Sequence, residues 1–151
     1  MSDNAINLLK QDHKKVKQLL GQLTDTTNRA QKTRTDLLGE IANELRVHTK
    51  IEEEIFYPAF RDAGKHDEKQ MYHEAVEEHR AVEELVLPDL EKTDPGSDQF
   101  AGRAKVLKEL VEHHADEEEA DIFPKAEKMF SSDELLAMGQ QMAELKGRFA
   151  P

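Results

Sequence analysis

Two stretches decide how this chain folds: His48-Thr49-Lys50-Ile51-Glu52-Glu53-Glu54-Ile55-Phe56-Tyr57-Pro58, and His114-Ala115-Asp116-Glu117-Glu118-Glu119-Ala120-Asp121-Ile122-Phe123-Pro124. They are 66 residues apart, and His, Glu and Pro recur in register. The same offset relates Asp12-His13-Lys14-Lys15-Val16 to Glu78-His79-Arg80-Ala81-Val82. Each half therefore reads His, 34 residues, His-x-x-x-Glu, five residues, Pro, the signature of an internal repeat of two helix pairs.

Outward from these strings, apolar residues recur at helical spacing. A first helix is expected over about Asp3 to Leu23, with Ile6, Leu9, His13, Val16, Leu20 and Leu23 on one face. A second spans roughly Arg29 to Tyr57 and carries Leu38, Ile41, Leu45, His48, Glu52 and Ile55. Ala63-Gly64-Lys65 closes that region, and Asp67 is the expected cap of a third helix over Glu68 to Leu87, with Tyr72, Val76, His79, Val82 and Val86 aligned. After the turn Thr93-Asp94-Pro95-Gly96 and the cap Ser97, a fourth runs over Asp98 to Phe123. Its stripe holds Val106 or Leu107, Leu110 or Val111, His114, Glu118 and Ile122. Ser131-Ser132-Asp133-Glu134 starts a shorter fifth helix through Leu135, Met138, Met142 and Leu145. Short connections force each helix back beside its predecessor. The fold class is thus all-α, an antiparallel up-down four-helix bundle over residues 1–130, with residues 131–151 a capping helix and tail of the same domain.

Composition narrows the function. The 151 residues suffice for one domain, and the absence of Cys removes disulfides, iron–sulfur clusters and thiol nucleophiles. A net charge of −11 disfavours nucleic acid or an anionic membrane as partner. No signal peptide or membrane-length apolar run is visible, so a cytoplasmic location is expected. Glu-x-x-His, His-Glu-x-x-His and phosphate-binding glycine loops are also absent.

The polar residues of the repeat lie on the apolar stripes, not opposite them. Glu52 and Glu118 would be buried carboxylates, costly without a compensating charge. A multivalent cation supplies that charge, and imidazole with carboxylate suits iron, manganese or zinc. His13, His48, His79 and His114 with Glu52 and Glu118 make six ligands, too many for one tetrahedral zinc but enough for two ions bridged by the two Glu. Glu83, one turn after His79, is a candidate seventh ligand. His113 points away from His114 and reads as a flank, while His66 and His73 read as surface residues. Tyr57 and Tyr72 could approach the site, although near a helix end packing is the more ordinary role.

Taken together, His13, His48-x-x-x-Glu52 before Ile55-Phe56-Tyr57-Pro58, Glu78-His79, and His114-x-x-x-Glu118 before Ile122-Phe123-Pro124 resemble the hemerythrin-like HHE cation-binding domains over roughly Ile6 to Lys128. The resemblance implies a non-haem di-iron centre of two Fe ions, oxo- or hydroxo-bridged, with an open coordination position. It also implies a small ligand such as O2, NO or peroxide. Two departures stand out. Oxygen-carrying members have His-x-x-x-His on the third helix, where this chain has His79-x-x-x-Glu83; on the fourth they have His-x-x-x-x-Asp, where the carboxylate here is Glu118. A more carboxylate-rich site is less suited to simple reversible oxygen carriage. Binding or sensing of the small ligand is the leading expectation. Peroxide turnover of the catalase or peroxidase kind, or a metal-stabilised sensor or interaction module, are the alternatives.

Overall fold

The computed structural model describes residues 3–149. Among the described residues the chain forms five helices and no strand. Helix α1 is Ala5–Thr24, with the Asn4 side chain accepting from the Asn7 amide at its start. Helix α2 opens as Gln31–Ile51, passes through a π-helical turn, Glu52–Phe56, and ends as Tyr57–Ala63. Helix α3 is built alike from His66–Ala81, Val82–Val86 and Leu87–Glu91. Helix α4 follows with Asp98–Glu117, Glu118–Ile122 and Phe123–Met129. Helix α5, Ser132–Gly147, is opened by the reciprocal Ser131 and Glu134 cap.

Helices α2, α3 and α4 run further than periodicity suggests, and proline explains how. Pro58, Pro88 and Pro124 have no N–H to give and would clash with the preceding turn of an α-helix. Each stands six residues after the first residue of a π turn, whose bond runs from Tyr57 N to Glu52 O, Leu87 N to Val82 O, and Phe123 N to Glu118 O. The widened turn absorbs the ring and the helix continues. Such turns concentrate at functional positions, and in α2 and α4 the first residue of the turn is the buried Glu. The α3 start also differs from expectation. It begins at His66, so Asp67 lies in the first turn and favours the positive helix end without being its cap.

Two apolar clusters hold the bundle. One contains Val16, Leu20, Leu23, Leu38, Ile41, Leu45, Leu87, Leu90, Phe100, Leu107 and Val111. The other contains Ile6, Leu9, Ile51, Phe56, Phe60, Ala75, Ile122, Phe123, Met138 and Met142. Helices α1 and α3 enter the second cluster first, whereas α2 and α4 enter the first cluster first, which is the up-down-up-down order. On α4 the buried stripe is Leu107 and Val111, leaving Val106 and Leu110 exposed. At the loop end, buried Arg34 donates to Thr26 Oγ1 and Pro95 O at 2.9 and 2.6 Å and stacks over Phe100, tying both inter-helix loops together. Helix α5 lies on α1 through Leu135, Met138 and Met142, each buried. Gly139 permits that approach, since a Cβ there would stand 2.3 Å from Asp3 O. No helix among the described residues is long and apolar enough to cross a membrane.

Candidate metal centre

Between the two apolar clusters lies one polar layer. His13 falls between Leu9 and Val16, His48 between Leu45 and Ile51, His79 between Ala75 and Val82, and His114 between Val111 and Ile122. Each of these four helices thus crosses the bundle with one apolar stretch on either side of a histidine. Glu52 and Glu118 are wholly buried. His13 Nε2 is 2.9 Å from Glu118 Oε1, His48 Nε2 2.9 Å and His79 Nε2 3.1 Å from Glu52 Oε1, and His114 Nε2 3.4 Å from Glu118 Oε2. Every one of the four Nε2 atoms points inward.

Two overlapping groups emerge whose donor atoms lie within 4.8 Å of one another: His13, His48, Glu52 and Glu118, and Glu52, His79 and His114. Glu52 belongs to both. Glu118 reaches the same two sides, with one oxygen toward His13 and the other toward His114. The donor set passes a direct test for cation binding. His13 Nε2, His48 Nε2, both oxygens of Glu52 and Glu118 Oε1 are buried and make no aligned hydrogen bond, although several lie about 3 Å apart. Lone pairs that approach without pointing at one another converge on a shared point, which is the geometry of ligands around an ion.

Behind each imidazole stands a carboxylate. Nδ1–H donates from His13 to Glu119 at 2.8 Å, from His48 to Asp12 at 3.0 Å, from His79 to Glu53 at 3.0 Å, and from His114 to Glu78 at 2.7 Å. Such contacts fix ring orientation and leave Nε2 free to ligate. These four carboxylates are invisible to a search for apolar stripes, because three of them are partly exposed. The repeat carries their signal, since Asp12 and Glu78, and Glu53 and Glu119, are also 66 residues apart.

Tyr57 lies in the centre, beyond the packing role its position suggested. Its hydroxyl donates to Glu118 and stands 3.4 and 3.3 Å from the Nε2 atoms of His79 and His114. Tyr72 packs edge-on against Tyr57 at 6.3 Å, with its hydroxyl turned to Arg61. Glu83 lies outside both donor groups, half-buried beside Glu53 and His79, with Oε1 buried and unpartnered. His113 is exposed and meets Glu117 at 3.1 Å.

Opposite charges within the layer shift its titrating groups against the effect of burial. Burial pulls the His48 imidazole down, but Glu52 and Asp12 outweigh it and push it up to about 10. Burial likewise opposes His114, which Glu118 and Glu78 raise well above the usual histidine range. Against its own burial, Glu118 is held well below the usual carboxylate range by the His114 and His13 imidazoles beside it. Burial and the charges of Glu118 and Glu52 keep the Tyr57 phenol protonated. His48 and His114 thus favour their protonated forms beside the buried carboxylates, and a cation bound there would have to displace those protons.

Beside the four His rings is a cavity of about 40 Å³, otherwise walled by Val16, Leu45, Val82, Val111 and Ala115 with Thr49 and Glu78. It has room for two or three water-sized groups.

Comparison with known proteins agrees with this geometry. The profile of the Hemerythrin HHE cation binding domain matches residues 4–126. A solved structure of a hemerythrin HHE cation-binding domain-containing protein from Mycobacterium kansasii superposes with a TM-score of 0.83 at 28% identity, covering 97% of this chain and 87% of that one. An uncharacterised protein of Mycobacterium tuberculosis is 29% identical over 93% of this chain and 83% of its own length. A protein from Nostoc named DNA nickase is 29% identical over 87% of this chain, which spans only 36% of that protein's length. With the profile matched across the whole ligand repeat, this chain belongs to the hemerythrin HHE cation-binding domain family.

Proposed function

We propose that this protein binds two iron ions and meets a small uncharged diatomic, O2 or NO, in the cavity beside them. The observation that carries this reading is the pair of overlapping donor groups that share Glu52. His13 and His48 would serve one ion, His79 and His114 the other, with Glu52 and Glu118 bridging. Bound iron would supply reversible one-electron chemistry toward such a ligand. The chain's own residues do the rest. The two apolar clusters exclude water from the layer, the carboxylates behind the imidazoles orient them, and the Tyr57 hydroxyl holds a proton at Glu118. The cavity favours a diatomic over anything larger, and its valine and leucine walls favour an uncharged one.

Protein purified from iron-supplemented cells should carry two irons per chain, with visible and Mössbauer spectra that change on exposure to O2 or NO. A folded protein without iron would overturn the proposal. Turnover of peroxide at the same centre is a second reading, favoured by the Tyr57 phenol at the ligands. Oxygen evolution from peroxide no faster than that of free iron would reject it.

A further inference from the structure

The four imidazole–carboxylate contacts are unequal. Glu53, Glu78 and Glu119 have side chains 36, 27 and 34% exposed, and among the described residues no Lys or Arg pairs with them. Asp12 is different. Its side chain is 6% exposed, with Oδ2 on His48 and Oδ1 on the Lys146 ammonium of α5. The geometry of α5 makes that contact possible. Gly139 abuts Asp3 and Asn4, and Lys146, two turns later, meets Asp12, so α5 and α1 run side by side in the same direction.

We propose that Lys146 is a positioning residue that, through Asp12, makes the two metal positions unequal, weakening the one built on His13 and His48. This rests on the two-ion reading above. A carboxylate accepting Nδ1–H makes the imidazole a stronger ligand at Nε2. An ammonium on the other oxygen withdraws part of that effect and adds positive charge near the ion. Asp12 is buried although the Lys146 side chain is 40% exposed, so solvent screens the pair only in part. Its repeat mate Glu78 faces the exposed His113 at 3.9 Å and the carboxylate of Glu117, and among the described residues no Lys or Arg pairs with it.

Titration of the metal-free full chain with cobalt(II), followed by its visible absorption, tests this. Wild-type protein should bind two ions in resolved steps. Lys146→Gln should tighten the weaker step about tenfold while leaving the tighter one in place, and Lys146→Arg should keep the wild-type pattern. Lys146→Met, which keeps the length and packing of the stem but carries no charge, should tighten the weaker step as Lys146→Gln does, separating charge from docking. Unchanged steps in Lys146→Gln, a shift in the tighter step alone, or the same tightening in Lys146→Arg would overturn the proposal. Two equal, unresolved steps in wild type would also overturn it while sparing the two-ion reading. Uptake of one ion or none by wild type would instead remove the two-ion reading, and this inference with it.

Discussion

The two halves of the bundle match residue for residue at the centre and diverge immediately around it. Asp12, His13, His48, Glu52 and Glu53 have mates 66 residues on in Glu78, His79, His114, Glu118 and Glu119. Their contacts obey the same symmetry. His48 leans on its own half through Asp12, as His114 does through Glu78, whereas His13 reaches across to Glu119 and His79 across to Glu53. Neither half is therefore a complete site. The divergences come one layer out. Tyr57 stacks on His79 at 5.3 Å, while its mate Phe123 stacks on His13 at 5.7 Å and has no hydroxyl. Lys17 pairs with Asp116 at 2.6 Å, while its mate Glu83 has an unpartnered oxygen. What is duplicated is the set of residues that could hold a metal ion; what differs is the residues around that set.

The strongest challenge to that symmetry is removal of a bridging carboxylate. Glu52→Ala and Glu118→Ala should each reduce bound metal from two ions to one or none, and to similar extents, because each Glu faces both pairs of His. Each should also destabilise the metal-free protein by about 3–5 kcal/mol, since buried imidazoliums lose their counter-charge. Metal analysis and urea unfolding check both. Retention of two ions in either variant would break the shared-bridge geometry.

A pH series addresses the two halves together. His48 is raised to about 10 in the folded, metal-free protein against an ordinary value of 6.5, and His114 is raised well above it. A raised folded value gives stability that is complete below about pH 6.5 and is lost as pH climbs toward 10. Metal must displace those same protons, so its affinity should rise over the window in which the metal-free protein weakens. Melting temperatures with and without metal should therefore diverge between about pH 6.5 and 10. Parallel curves would mean that the ions do not replace the imidazole protons.

Much of this was readable from the sequence, for a physical reason. The 66-residue offset marks the repeated His and Glu and their spacing to proline, and apolar stripes orient the helices, so His13, His48, Glu52, His79, His114 and Glu118 converge as their periodicity implies. Helix ends were less legible. Proline ordinarily stops a helix, and the π turns at Glu52, Val82 and Glu118 that carry α2, α3 and α4 past it leave no separate mark in composition. Glu119 and Glu53 are partly exposed, so the apolar periodicity does not mark them. The Tyr57 ring does pack, and only the three-dimensional meeting of α2 with α3 and α4 places its hydroxyl beside His79, His114 and Glu118.

Exchanging that hydroxyl between halves is a gentler probe. Tyr57→Phe should leave two ions bound and cost about 1 kcal/mol of stability for the lost hydrogen bond, while altering the visible spectrum of the loaded centre. Phe123→Tyr should place a second hydroxyl toward Glu52 by the same symmetry, and Glu52 has both oxygens free to accept it. A Tyr57→Phe spectrum identical to wild type would mean that the phenol does not influence the ions.

The smallest effect is expected at Glu83, where the two halves differ in charge sign. Burial raises its carboxyl above the ordinary range, with Thr49 and His79 only partly offsetting this. An acid whose folded value is raised gives up stability once the pH exceeds its unfolded value, and gives up none below it. Glu83→Gln should therefore stabilise the protein at neutral pH and leave it unchanged near pH 4. The gain should stay below about 1 kcal/mol, because the group is half-exposed and screened. Two ions should still bind, since Glu83 stands outside both donor groups. Thermal melts at the two pH values and metal analysis of the same samples decide the matter. A fall to one ion would make Glu83 a ligand and the second half the richer one, whereas a gain in stability with two ions retained leaves six ligands shared evenly between the halves.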